Sequence, residues 1–246
     1  MYFILDNRTQ TIVQVAISLM LFVTMLIASK AQKTYPGFGD WTLSKIPNAI
    51  GWLLISLFGI APLWVSTILG NGLVAISPVL IFSGIRKFRG KPAKNKLNVF
   101  LLILFISSYI FFTLIQPNVN ARLFSLFIYA TILIGRCGFE LVFDVPKEFR
   151  LSFWFTASMF FTYLIVFFAR VITFRSLPLL TGPFGIDQIQ NIVFLAVNVL
   201  GIGWTFGFFM MTNEKLIFDL RESEGKQREL ATHDYPDRDL QSRRIY

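Results

Sequence analysis

One cysteine and one histidine in 246 residues leave little material for a reactive centre. Cys137 alone closes no intramolecular disulfide, and with His233 as the single imidazole there is no Cys/His cluster to hold a metal. Cys137 lies in an apolar run and reads as a small buried hydrophobe, while His233 reads as a surface residue. No Ser/His/Asp set, P-loop pattern or Gly-Gly dipeptide is present, so the sequence by itself supplies no active site. Charge is also scarce: 15% of residues are Asp, Glu, Lys or Arg, against roughly 25% in soluble domains.

Apolar side chains take the place of the missing charge. They make up 54% of the chain, Phe alone occurs 28 times, and the mean hydropathy is +0.61. This is the composition of an integral membrane protein, with the lipid bilayer as its first partner. The net charge of +9 does not indicate nucleic acid, because the basic residues sit in the breaks between apolar runs and share no solvated face.

The apolar runs predict an all-α bundle of seven transmembrane helices at about 11–29, 43–60, 62–85, 97–115, 123–143, 151–169 and 189–211, a sensor-sized domain over residues 1–211. The first run reads as an anchor rather than a signal peptide, because Met25, Leu26 and Ile27 continue up to Lys30 without small residues. The stretch from Ala49 to Ile85 has no charge, and as one helix it would be about 55 Å long, too long for a bilayer. It is expected to fold as a hairpin turning at Gly59, Ile60, Ala61 and Pro62, with Pro78 bending the returning helix and Trp52 and Trp64 near interfaces.

Seven spans put the termini on opposite sides. Lys30, Lys33 and Lys45 on the first loop, six basic residues between Arg86 and Lys96, Lys147 and Arg150, and seven in the C-terminal tail fall on one side. Arg8, Arg122, Arg170 and Arg175 fall on the other. Eighteen against four predicts a cytoplasmic C-terminus and an outward N-terminus.

Ionisable groups inside apolar runs are the natural places to look for function, since charge in lipid is costly. Arg136, Glu140 and Asp144 follow one another at intervals of four, which predicts a polar cluster on one face of the fifth helix and a candidate switch between helices. No line of carboxylates crosses the membrane, which disfavours a proton-coupled transporter. The outward loop from Arg170 to Gln188 is too short and apolar for a folded ectodomain, so the stimulus is expected to be a small or lipophilic molecule, the state of the membrane, or something inside the bundle.

Residues 212–234 carry ten charged side chains directly after the last span and predict a cytoplasmic helix. Leu216, Leu220, Ser223, Gln227 and Leu230 recur at spacings of four and three, the pattern of a coiled-coil seam. Leu216, Leu220 and Leu230 are the candidate residues of a homodimeric stalk.

The run Leu230-Ala231-Thr232-His233-Asp234-Tyr235 after such a helix resembles the entry to the GGDEF domain of bacterial diguanylate cyclases. Tyr35-Pro36-Gly37-Phe38-Gly39-Asp40-Trp41 and Ser83-Gly84-Ile85-Arg86-Lys87-Phe88-Arg89-Gly90-Lys91-Pro92 are similar to stretches in seven-span sensor regions of that family. The resemblance implies a bacterial inner-membrane sensor module of a signalling protein that joins two GTP into cyclic di-GMP with Mg²⁺. GTP and Mg²⁺ are expected only with an intact GGDEF domain, whose signature and metal carboxylates do not occur here, so this chain is expected to have no cofactor and no enzyme activity. The family continues Asp-x-Leu-Thr-Gly-Ile/Leu-x-Asn-Arg, whereas residues 235–246 diverge after Tyr235. With suitable synonymous codons, Pro236 to Tyr246 minus one base reads Leu-Thr-Gly-Ile-Tyr-Asn-Arg-Gly-Glu-Tyr, and the tail is therefore expected to be a frameshift. The alternative reading is a small multi-span transporter or channel.

Overall fold

The computed structural model describes residues 7–174 and 188–233 and is helical throughout, with short connections. The helices are α1 (Asn7–Ala31), α2 (Phe38–Ser56), α3 (Gly70–Phe88), α4 (Lys96–Ile110), α5 (Val119–Val142), α6 (Arg150–Phe174) and α7 (Gln188–His233). A π-helical turn, Trp64–Leu69, leads into α3, and another, Phe111–Ile115, ends α4. Among the described residues six helical stretches are long and apolar enough to cross a membrane, and α2 is the one helix of the bundle outside that set.

The difference from seven expected spans lies in α2. It starts earlier than predicted because Asp40, Lys45 and Pro47 are all accommodated within the helix, and those polar residues dilute its apolar character. Lys45, counted above with the first basic loop, lies inside α2 and is buried. The predicted hairpin turn is present: Gly59 takes φ 83, Phe58 bridges to Ala61, and Pro62 opens the returning helix. Pro78 lies within α3.

In lipid, helices gain little from hydrophobicity against one another and depend on close packing and hydrogen bonds. Gly51 and Gly70 let α2 and α3 touch backbone to backbone, since a Cβ on Gly51 would stand 2.7 Å from the Gly70 carbonyl oxygen. Helix α1 runs antiparallel to α2, with Arg8 donating to the Phe58 carbonyl at 2.7 Å and Asn48 donating to Ser18 at 2.9 Å. Helices α2 and α7 also run antiparallel, bridged by large side chains: Trp52 meets Phe194, Lys45 meets Thr205, and Trp41 stacks on Phe208 at 4.1 Å. Cys137 is a free thiol buried in the core beside this seam, as expected.

The last helix is a single element of 46 residues, about 69 Å at 1.5 Å per residue. The predicted seventh span and the charged stretch after it are thus one uninterrupted helix. The outward loop lies mostly outside the described residues, as do Asp234, Tyr235 and the tail.

Candidate functional site

The two motifs Tyr35–Trp41 and Ser83–Pro92 pack on each other at the end of the bundle from which the charged part of α7 emerges. The contact starts from two glycines. Gly37 holds φ 100, open to few residues with a side chain, and a Cβ there would fall on the Gly84 carbonyl. A Cβ on Gly84 would in turn fall on the Trp41 ring, whose Nε1 donates to the Ile81 carbonyl at 3.3 Å. Around this contact Asp40 binds Lys87 at 2.8 Å and accepts from Ser83 at 2.8 Å. Phe88 sets its ring against Tyr35, Trp41 and Phe153, joining α3 to α2 and α6.

Helix α7 is seated on this contact. Phe208 and Phe209 pack on Trp41 and Phe38, and Lys215 lies 4.6 Å from the Tyr35 ring centroid and 5.1 Å from that of Phe88. Glu214 accepts from Ser152 on α6, and Phe149 meets Phe218 edge to face. Asp219 then accepts from the Tyr35 hydroxyl at 2.8 Å and from Lys33 at 3.2 Å. Burial pushes the Tyr35 phenol up to about 12, helped by the hydrogen bond to Asp219 and by its charge. The bundle clasps α7 as far as Asp219, and every residue from Arg221 to Leu230 is exposed.

The predicted cluster on α5 is divided differently. Glu140 binds Arg86 at 3.0 Å, Arg89 at 3.1 Å and Lys91 at 2.9 Å, three cations from the second motif and none from its own helix. Arg136 instead lies over the Phe82 ring at 4.7 Å, with its Nε buried and unpartnered. Asp144 is off the helix: α5 stops at Val142, Phe143 is extended, and Asp144 takes φ 52. The correction has a physical reason, since Pro146 two residues on disfavours helix for the residue before it and cannot continue the ladder. What Asp144 contributes is its main-chain carbonyl, which with that of Phe143 accepts from Arg89 at 2.8 and 2.6 Å.

Of the candidate stalk residues, Leu216 is partly buried against the core of its own bundle, whereas Leu220 and Leu230 are 55% and 70% exposed.

A second polar region lies deeper and was not singled out in the sequence. The face that α1 turns inward is polar, with Asn7, Gln10, Thr11, Gln14 and Ser18 all buried, while Ile12, Val13, Leu19, Met20, Val23 and Ile27 point outward. In lipid this is the sensible arrangement, apolar out and polar toward a polar interior. The signal was legible as polar residues recurring at three, four and seven positions within an apolar run. Asn48 of α2 meets this face at Ser18, and one turn away on α2 the buried Lys45 donates to Thr205 Oγ1 of α7 at 2.6 Å. Among the described residues no group of three His, Cys, Asp or Glu side chains gathers as a metal site would require. Comparison of the chain with protein-family models, with curated proteins and with solved structures returned no match.

Proposed function

We propose that the chain is a membrane sensory module of the kind that precedes the GGDEF domain in diguanylate cyclases, with α7 as its output element. The observation that carries this reading is the continuity of α7: one helix runs through the bundle core, buried at Phe208, Met211 and Thr212, and becomes an exposed charged rod after Leu220. A displacement of α1, α2 or α3 would reach that rod through Lys33 and Tyr35 on the α1–α2 connection and through Phe88 at the end of α3. That the two stretches resembling the family's sensor regions grip the rod supports the same reading.

In this proposal α2 also crosses the membrane, antiparallel to α1, giving seven spans in a bacterial inner membrane, the N-terminus outside and the C-terminus cytoplasmic. The module pairs as a homodimer through the stalk and responds to a small or lipophilic stimulus. In this proposal residues 1–234 carry the input and pairing roles and none of the family's GTP chemistry, so this stretch dimerises, or interferes with an intact relative, without making cyclic di-GMP.

The test has two parts. Purified chain with GTP and Mg²⁺ should yield no cyclic di-GMP, and product from it would overturn the reading. Residues 1–234 fused in frame to an active GGDEF domain should set that domain's output, and substitutions at Tyr35 should change it. A fusion whose activity ignores the Tyr35 clasp would remove the signalling role. The buried polar face of α1 favours a second reading, a small carrier, and directional solute uptake into liposomes would support it instead.

A further inference from the structure

Helices α3, α4 and α5 bring to one level polar atoms that no described residue satisfies. Tyr129 on α5 donates its hydroxyl to the Ala75 carbonyl on α3 and stacks on Phe105 of α4 at 4.9 Å. Two turns, or about seven residues, toward the end where α7 emerges, the same three faces carry Phe82, Asn98 and Arg136. The register holds on both sides of that level. Arg136 lies 4.7 Å over the Phe82 ring and Glu140 meets Arg86 one turn on, while Ser108 meets Ser125 in the other direction.

Asn98 is fully buried, and neither its Nδ2 nor its Oδ1 has a partner among the described residues. Arg136 Nε is likewise buried without an acceptor, and its guanidinium forms no ion pair among the described residues. Glu140, the carboxylate one turn along α5, is already shared by Arg86, Arg89 and Lys91. Burial does not neutralise an arginine, so the charge of Arg136 persists. A cation without an anion and an amide with both ends idle, at one level, are the complement of a negative group with several acceptor oxygens.

The position favours the bilayer as the source of that group. Arg136 precedes the end of α5 at Val142 by six residues, about 9 Å along the helix, within reach of a lipid phosphate for a long side chain. The residue is partly exposed, and Phe100 of α4 and Phe139 of α5 offer exposed apolar surface to lipid chains. Lys94 and Lys96, exposed just before Asn98, add positive potential at the same end.

We propose that the groove between α4 and α5 at Arg136 seats the head group of an anionic phospholipid, its phosphate shared by the Arg136 guanidinium and the Asn98 amide N–H. Asn98 Oδ1 then accepts from a head-group hydroxyl, such as those of phosphatidylglycerol, and Phe100 and Phe139 line the lipid chains. The site requires that the chain lie in a bilayer and does not depend on the signalling reading, because lipid binding and cyclase output are separate measurements.

The full chain in detergent tests it, with bound lipid counted by native mass spectrometry and thermal unfolding followed during titration with phosphatidylglycerol, phosphatidylcholine or inorganic phosphate. Expected is a saturable site for phosphatidylglycerol about tenfold tighter than for phosphatidylcholine, with no matching stabilisation by inorganic phosphate. Arg136→Gln should lose about tenfold in phosphatidylglycerol affinity, whereas Lys147→Gln, which removes an exposed charge at the same end of the bundle, should change nothing. Asn98→Leu should weaken phosphatidylglycerol several-fold and yet unfold no earlier than the parent without lipid, since it removes a buried amide that lacks partners. A merely structural asparagine would show the reverse, earlier unfolding with lipid affinity intact. Equal binding of the two lipids, unchanged affinity in Arg136→Gln or Asn98→Leu, or an equal loss in Lys147→Gln would overturn the proposal. So would inorganic phosphate that stabilises as phosphatidylglycerol does, which would assign the site to a soluble anion. If Arg136→Gln does not fold, Arg136→Lys takes its place, keeping the charge over Phe82 but losing the two-pronged donor, and the same loss is expected.

Discussion

The hydroxyl of Tyr35 donates to the carboxylate of Asp219 at 2.8 Å, closing a loop of 184 residues between the first interhelical connection and the emerging part of α7. It marks the last point at which the bundle holds the rod.

Loss of this bond should free the rod without unfolding the bundle. In Tyr35→Phe, backbone amides of α7 around residues 215–220 should exchange with solvent several-fold faster, while those around Phe208 stay protected. Unchanged exchange near Asp219 would show that Lys215 and Phe218 suffice to seat the helix. The phenol in the folded chain keeps its proton to about 12, against about 10 when unfolded. Its contribution is therefore present in full below about pH 10 and fades as pH rises toward 12, a change that phenolate absorbance follows.

Glu140 should matter far more to stability than the other two members of its predicted cluster. Glu140→Ala leaves Arg86 and Arg89, both partly buried, without their carboxylate, although each keeps main-chain carbonyl acceptors, and should cost about 1–3 kcal/mol. Asp144→Asn keeps the main-chain carbonyl that Arg89 uses and the positive φ that Asn tolerates, and should stay within about 0.5 kcal/mol of the parent. Thermal unfolding in one detergent ranks them, and equal losses would refute the division.

The glycines of the first motif should separate sharply. Gly37→Ala places a methyl on the Gly84 carbonyl at a backbone angle that alanine resists, and should cost about 2–3 kcal/mol or prevent folding. Gly39, two residues on within α2, has open space around it, and Gly39→Ala should be neutral or stabilise by about 0.5–1 kcal/mol. Folded yield of the two variants side by side is the measurement.

Stalk pairing should begin after the clasp. Cysteines at Leu220 and Leu230 should cross-link between copies in membranes, Leu216 should do so weakly because it packs on its own bundle, and Glu222 should not. Cross-linking equal at all four positions, or absent throughout, would reduce the stalk to a solvated helix.

The nucleotides from the codon of Asp234 onward should, after removal of one base, encode Leu-Thr-Gly-Ile-x-Asn-Arg and stay open into a GGDEF domain. A stop soon afterwards in that frame, or shifted codons that do not spell the motif, would return residues 235–246 to an unexplained tail.

Helix positions were legible in the sequence because a bilayer imposes length and apolarity on whatever crosses it, and that constraint needs no knowledge of neighbours. It placed the Gly59–Pro62 turn and the runs of α1, α3 and α4 to within a few residues, and it made Cys137 a core residue. It failed at α2, where Lys45 and Asp40 belong in a helix because a neighbour meets each, Thr205 from α7 and Lys87 from α3. It failed again at Asp144, where a spacing of four suggested a shared face and the chain had already left the helix. The sequence by itself determined a membrane bundle with a charged helical extension. That Glu140 serves Arg86 and Arg89 rather than Arg136, that Tyr35 holds Asp219, and that the polar face of α1 looks inward and meets Asn48 at Ser18 were decided only by tertiary packing. Partners brought together across 30 or more residues leave no periodicity for a single helix to display.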